Sequence, residues 1–387
     1  AFWAPKPSVL PLVEKGAERA IGVVAAQGRR WHVIEYPYVE PPVHSLRRIR
    51  AERESPYHHM AIVDNAVICS DVLGPAAFRG DQVRLADGTW VAVNPRPSLR
   101  QGKRGNHRDL KFDQYTESSV MLDETAEHIR EPYTSGTTYS TLLHLPFVFK
   151  SDIRRVLIVG GGGGIVPVIF RKHYGDRGLS IDVVEIDPEV VRVAKEFFGL
   201  VEDDQLRVHV QDGRMFVHNS EETYDLIILD AYTAGGRIPF HLTTREFLTE
   251  CRNHVTDDGV VLMNVISALD GRKSDLFRAE YKTFNEVFGR ERVYVFPKDG
   301  ERDAFNRSQN VMLIANGRSQ ERRLSKGEIG RRAARAVRTG RIRLEAVAGY
   351  AREMVSRADL DGLSLQDVPV LTDNYAPVDF MVVTLEE

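Results

Sequence analysis

Cysteine is scarce in this 387-residue chain: Cys69 and Cys251 stand far apart, and neither has histidines at ligand spacing. That excludes a disulfide framework and a cysteine-based metal site, and it leads us to expect two buried, reduced thiols in a reducing compartment. Long apolar runs are also missing, since none reaches the ~18–20 residues that a membrane-spanning helix needs. Nor is there an excess of one charge: the formal net charge is −3, so nothing global draws the chain to nucleic acid or to an anionic membrane. The chain starts at Ala1, and "AFWAPKPSVLPLVEKGAERA" does not read as an intact signal peptide. The expectation is that something was cut away upstream, from a single residue to a whole membrane region. No repeat with a period of 20–50 residues is visible.

What is there falls into stretches of different character. Residues 1–20 are punctuated by proline and read as an extension. From Ile21 to about Val93, short β-type runs such as "RWHVIEY" and "HMAIVDNAVICS" are bounded by Gly, Pro and Asp, as in a small antiparallel sheet. The polar, basic stretch 94–109 reads as a loop, and "STLLHLPFVF" before residue 150 reads as helical. Residues 151–387 differ in kind. "RRVLIVG", "LSIDVVEID", "LRVHVQD", "YDLIILD", "GVVLMNVI", "RVYVFP" and "NVMLIAN" are nearly continuous apolar strands, most of them separated by helical segments. That alternation predicts a parallel sheet covered on both faces. The expected domains are therefore a β-rich unit over 21–150 and an α/β, Rossmann-like unit over 151–387, the latter carrying a basic segment at 318–343.

The first of these strands runs into five glycines, Gly160–Gly164. Such a run costs conformational entropy unless the backbone needs the freedom. A phosphate-binding loop would need Gly-Lys-Ser/Thr after the glycines, but Ile165 and Val166 follow. The dinucleotide fingerprint G-x-G-x-x-G fails in both frames, at Ile165 or at Val166. G-x-G-x-G does fit, as Gly160, Gly162 and Gly164. It suits a sulfonium nucleoside, which has no pyrophosphate and lies across the turn. Tight packing after an apolar strand is the alternative reading.

Three carboxylates support the ligand reading. Glu185 ends the second strand, where a carboxylate can accept both ribose hydroxyls; Asp187-Pro188 already supplies the cap of the next helix. Asp212, in "VQDGR" with Gly213, follows the third strand and can accept from an adenine amino group. Asp230 ends the fourth strand, facing the reacting end of the ligand. The site expected from the residues is thus Gly160, Gly162, Gly164, Glu185, Asp212 and Gly213 for the nucleoside, and Asp230 for catalysis.

"VVEIDPEVVRVAKEFFG", "VQDGRMFV", "YDLIILDAY" and the closing "LTDNYAPVD" resemble the spermidine synthase family, which transfers aminopropyl groups from decarboxylated S-adenosylmethionine. The resemblance covers roughly residues 50–315 and the closing motif. It implies an N-terminal β domain, an S-adenosylmethionine methyltransferase-type sheet, a homodimer and a polyamine acceptor. It also gives Glu185 the ribose, Asp212 the adenine and Asp230 the amine side. "FDQYTESSVMLDE" resembles the family's joining segment, with Glu117 in place of the usual Gln. By the same comparison, aminopropyltransferases carry an Asp where this chain has Gly163 and another where it has Thr233. A diamine is an ammonium at neutral pH, with a pKa of about 10, and must lose a proton to a placed base before it attacks. Threonine is a poor substitute for that base. "GGGGGIVP" and "DAYTAGGRIPFHLTTREFL" are similar to spermidine-synthase-like domains fused behind membrane transporter-like segments, in which the missing acids are usual.

Three functions therefore stand open: aminopropyl transfer, methyl transfer from S-adenosylmethionine, and an accessory subunit that has kept the fold. The expected location is cytoplasmic, with a membrane or protein partner through the N-terminal segment as the alternative. His241 is expected only to precede a helix opened by a Thr243-x-x-Glu246 capping box. His58 and His59 are candidates to line the site. No metal is expected, since no His pair lies at i, i+4 with an acid. The segment 318–343 carries ten Lys/Arg and two Glu. It reads as a solvated helix face, with RNA or anionic lipid as alternatives. Its lack of aromatics argues against single-stranded nucleic acid.

Overall fold

The computed structural model describes residues 18–95, 105–233, 236–300, 307–317 and 322–381. Most of the N-terminal extension, most of the expected loop and the start of the basic segment lie outside the described residues. Two compact units are formed. One comprises the chain up to Thr137 together with 162–165 and 192–199; the other takes the remainder from Thr138. The division falls at Thr137/Thr138, ahead of the boundary expected at residue 150. Among the described residues no helix is long and apolar enough to cross a membrane.

The first unit is built on a six-stranded antiparallel sheet. Its strands are β1 (Arg19–Ala26), β2 (Arg29–Tyr36), β3 (Val43–Glu54) and β4 (His59–Ala66), then β8 (His107–Phe112) and β9 (Tyr115–Met121), in that order. β8 begins inside the stretch expected to be a loop. A smaller sheet of β5 (Phe78–Arg79), β6 (Gln82–Arg84) and β7 (Trp90–Ala92) is inserted before it. Trp31, Val33, Leu46, Val72, Val83 and Leu85 form the core. Burying each such large side chain contributes ~1.5–3 kcal/mol. β4 is buried along its whole length. Its Asp64 is reached by Arg108 at 2.6 Å and Arg48 at 2.7 Å, so the buried carboxylate is paired rather than orphaned.

The second unit holds a seven-stranded sheet: β10 (Arg155–Val159), β11 (Ser180–Glu185), β12 (Leu206–Val210), β13 (Tyr224–Leu229), β14 (Val255–Ser267), β15 (Val293–Pro297) and β16 (Gln309–Asn316). Their order is β12-β11-β10-β13-β14-β16-β15. The first five run parallel, as their apolar runs predict, but β16 is antiparallel to both neighbours. The expectation of a wholly parallel sheet is corrected there. A parallel neighbour needs a crossover of about a dozen or more residues, usually helical. The link from Pro297 to Gln309 is too short for a helical crossover, so the chain turns back.

The helices that position the site are α1 (Ile165–Tyr174), α2 (Pro188–Phe197), α3 (Gly213–Asn219) and α4 (Arg245–Asn253). They are followed by α5 (Asp275–Phe288) and α6 (Lys326–Arg338). Strand order reverses at β10, which lies between β11 and β13. In open α/β sheets the ligand crevice opens beyond the strands' carboxyl ends at such a reversal. The glycine run follows β10 at that point.

Candidate functional site

Gly160, Gly162 and Gly164 all have positive φ, at 98°, 47° and 72°. Left-handed backbone favours glycine, and at Gly160 space forbids anything else. A Cβ there would stand 2.4 Å from the Asp230 carbonyl oxygen and 2.7 Å from Ala231 Cα. The first glycine is therefore bare because the backbone leaving β13, at Asp230 and Ala231, lies directly against it. The Gly160 N–H donates to the Val184 carbonyl, and the Asp230 N–H to that of Val159.

Glu185 ends β11 with its carboxylate turned back to the turn. One oxygen accepts from the Gly161 N–H at 2.9 Å and the other from the Asp187 N–H at 3.1 Å. Glu185 thus has a structural task that the sequence reading did not give it: it ties the glycine turn to the start of α2. Asp187 caps that helix as expected, accepting from the Glu189 N–H.

Asp212 is the N-cap of α3, its Oδ1 accepting from the Met215 N–H at 2.9 Å. Its Oδ2 faces His241 Nε2 at 3.0 Å, and both side chains are about one-third exposed. His241 therefore joins the rim beside Asp212, where sequence reasoning had only a neighbour of a cap. The cap itself is corrected: α4 is opened by Thr244, whose hydroxyl accepts from the Phe247 N–H, while Thr243 bonds back to the Phe240 carbonyl. Glu246 accepts from the Asp373 N–H instead of closing a capping box. Gly213 lies inside: a Cβ there would meet Val159 at 2.5 Å, so its bareness lets α3 close on β10. Exposed Ile186, Val210, Met215 and Phe240 are neighbours of these polar groups in sequence or register.

Asp230 is held from the next strand. Asn264 on β14 donates to its Oδ1 at 2.8 Å, and Asn310 on β16 donates to the Asn264 Oδ1 at 3.2 Å, which fixes that amide. Tyr232 donates to the Asn264 carbonyl at 2.6 Å. Loss of solvation pushes the Asp230 carboxyl up to about 7, the Asn264 hydrogen bond opposing it. Glu280 on α5 is fully buried, neither of its oxygens has a hydrogen-bond partner among the described residues, and burial pushes its carboxyl far above the usual range. It is close enough to Tyr232 to act on its phenol. Asn264, Asn310 and Glu280 were missed. The available signal was a glutamate at helical spacing from the apolar Leu276, Phe277 and Phe284.

Other expected residues lie elsewhere. Thr233 is exposed and bonds back to the Arg237 carbonyl. Within the first unit, Gly163 donates to Ser118 Oγ at 2.8 Å, and a Cβ at 163 would stand 2.7 Å from Ser118 Cβ. Glu117, next to Ser118 on β9, is half-buried. His58 stacks on Phe112 at 3.9 Å, and His59 pairs with Glu54 at 2.5 Å, all within that unit. Cys251 is buried as expected, but Cys69 is only half-buried. Asp373, in the closing motif, takes the Arg214 guanidinium in a two-pronged pair and the Thr244 hydroxyl, which binds the chain end to α3 and α4. Among the described residues no group of three or more His, Cys, Asp or Glu is placed to hold a metal ion.

Strand order, the antiparallel β16 and the bare turn at the order reversal define a Rossmann-like fold of the methyltransferase type. The spermine/spermidine synthase domain matches residues 137–296. The chain is 28% identical over 285 residues to a polyamine aminopropyltransferase of Vibrio vulnificus, covering 71% of this chain and 86% of that one. A polyamine aminopropyltransferase of Lachnospira eligens is 32% identical over 158 residues, covering 40% of this chain and 54% of that one. Other curated relatives are likewise matched over little more than half their length. Among solved structures, a probable spermidine synthase from Corynebacterium glutamicum superposes with a TM-score of 0.57 at 17% identity, covering 84% of this chain and 97% of that one. Residues 137–296 thus carry a spermine/spermidine synthase domain, and the chain around them is similar to polyamine aminopropyltransferases.

Proposed function

We propose that this chain is a spermidine-synthase-like transferase that binds a sulfonium nucleoside across the Gly160–Gly164 turn and passes an aminopropyl group from decarboxylated S-adenosylmethionine to an amine. One observation carries the reading. Gly160 lies against the Asp230 backbone and Gly161 against Glu185, so two of the three strand-end acidic residues border the turn. The residues suit the ligand. Glu185 is the candidate for the ribose hydroxyls, since it ends β11 with its carboxylate beside the turn. Asp212 and His241 are placed for the adenine edge, with Ile186 and Met215 as apolar walls. The nucleoside, when bound, supplies an electrophilic carbon next to a sulfonium. Asp230 does the rest: its free Oδ2 takes the proton of the incoming amine, and a carboxyl near 7 is matched to that task at neutral pH.

A second reading, methyl transfer from S-adenosylmethionine, is favoured by the Ser118–Gly163 contact. That contact fills the place where an aminopropyltransferase carries an acid. Methyl transfer needs mainly alignment of nucleophile and carbon, which positioning supplies. By the family resemblance we also expect a homodimer. Calorimetry with decarboxylated S-adenosylmethionine, S-adenosylmethionine and methylthioadenosine separates the readings. Preference for the decarboxylated form supports aminopropyl transfer, and preference for the intact form supports methyl transfer. Failure of all three to bind at millimolar concentration leaves an accessory subunit without chemistry.

A further inference from the structure

The opposite edge of the seven-stranded sheet carries a second concavity that the transferase reading does not use. A cleft of about 530 Å³ is lined by Ser151–Arg154 before β10, Tyr174 and Arg177 before β11, and Thr339 and Arg341 after α6. That volume is within the usual range for small-ligand pockets, about 300–1,000 Å³. Its charge is one-sided: three arginines against Asp152, which sits 3.7 Å from the Lys150 ammonium. Asp176 nearby is taken by Arg343.

Two of the three guanidinium groups, those of Arg154 and Arg177, are anchored by carbonyls and not by carboxylates. Arg154 donates to the Arg177 carbonyl. Arg177 donates to the carbonyls of Gly340 and, at 2.8 Å, Arg341, and lies 5.3 Å over the Tyr174 ring. Tyr174 is itself fixed by a 2.8 Å hydrogen bond to His144 Nδ1. Carbonyl anchoring orients a guanidinium without neutralising it, and its remaining N–H groups stay available. Arg341 is exposed and has no acidic partner among the described residues. Alongside, α6 buries Ile329, Ala333 and Ala336 and exposes Arg331, Arg332, Arg335 and Arg338. No ion pair to an acid is formed by these four among the described residues. Guanidinium groups that meet at one cleft, two of them oriented by carbonyls, are the chemistry that recognises phosphate oxygens in two-pronged pairs.

We propose that this cleft binds a small polyphosphate group, held by Arg154, Arg177 and Arg341. The source is a nucleotide or inorganic polyphosphate. A polymer is disfavoured because the walls beside the arginines are the buried Tyr174 and Ile153, and the apolar face of α6 is spent on the protein and cannot enter a bilayer.

The test is calorimetry of the full chain at low ionic strength with sodium tripolyphosphate, ATP, inorganic phosphate, an RNA oligonucleotide and vesicles containing phosphatidylserine. Saturable one-to-one binding of tripolyphosphate with Kd below about 1 mM is expected. Arg341→Gln and Arg154→Gln should each weaken it about tenfold, and Arg207→Gln, on the exposed side of β12, should leave it unchanged. Thermal melting of each variant checks folding, and the exposed Arg341 site keeps the test valid if Arg154→Gln is unstable. ATP binding equal to tripolyphosphate points to the phosphates alone, tighter ATP binding points to a nucleotide, and both support the proposal. Three outcomes overturn it: no saturation by about 10 mM tripolyphosphate, binding indifferent to both cleft substitutions, or binding of RNA or vesicles where tripolyphosphate does not bind.

Discussion

The two edges of the seven-stranded sheet are chemical opposites. At the carboxyl edge, Glu185, Asp212 and Asp230 end or follow β11, β12 and β13, and Glu185 and Asp230 border the bare turn. At the amino edge, Arg154, Arg177 and Arg341 line a cleft. The way each edge is held also differs. Acids at the first are fixed by N–H donors: Gly161 and Asp187 for Glu185, Met215 for Asp212, Asn264 for Asp230. At the second, Arg154 and Arg177 are fixed by carbonyls. In both cases the protein supplies the uncharged half of a hydrogen bond and leaves the charge unspent, which is what a binding site requires and a structural ion pair does not.

The comparison breaks first at Asp230. Asp230→Asn keeps the shape and the Asn264 contact but removes the charge. Turnover should fall ~10²–10³-fold, the usual cost of one placed electrostatic group, with methylthioadenosine affinity unchanged in calorimetry. Unfolding of this variant would instead make the carboxylate structural. Next is Asp212. Asp212→Asn still caps α3, so thermal melting should hardly move, while nucleoside binding should weaken by about 1.5–3 kcal/mol through loss of a charged hydrogen bond.

Acidity sharpens the contrast. Asp230 binds its proton more tightly in the folded chain (about 7) than in the unfolded one (3.8). Its contribution to stability therefore falls as pH rises from about 4 to about 7 and is flat above. Turnover runs the other way and should rise through pH ~7 as the base ionises. Asn264→Ala removes a hydrogen bond to the charged form, so the midpoint of that rise should move up by about one unit. A midpoint that stays put would mean that Asn264 does not hold Asp230. The smallest effect is expected away from both edges. Ser325→Ala removes half of the Ser325–Glu328 capping box of α6 and should cost ~1 kcal/mol of stability without changing nucleoside binding.

The sheet was legible because each buried parallel strand leaves a short apolar run, and all seven runs from "RRVLIVG" to "NVMLIAN" became strands. The site's outline was legible because a glycine run and strand-end acids are local signals. Direction was not: β16 is as apolar as β14, and only the short link before it reveals that it turns back. Asn264, Asn310 and Glu280 escaped because their role depends on neighbours from β13, β14, β16 and α5, which sequence spacing does not bring together. The same holds for the arginine cleft, assembled from three segments spread between residues 151 and 341. Thr244 displaced Thr243 as the cap because adjacent threonines satisfy the same local pattern, and only packing decides between them.

Ser118 and Gly163 also constrain how this chain could change over generations. A Cβ at position 163 would lie 2.7 Å from Ser118 Cβ, so an acid at 163 requires Ser118 or the backbone that carries it to shift. Reducing Ser118 to glycine first removes the obstruction, at the loss of one hydrogen bond. The two positions therefore form a coupled pair: with serine at 118 an acid at 163 comes at the cost of a local displacement, and with glycine at 118 it does not.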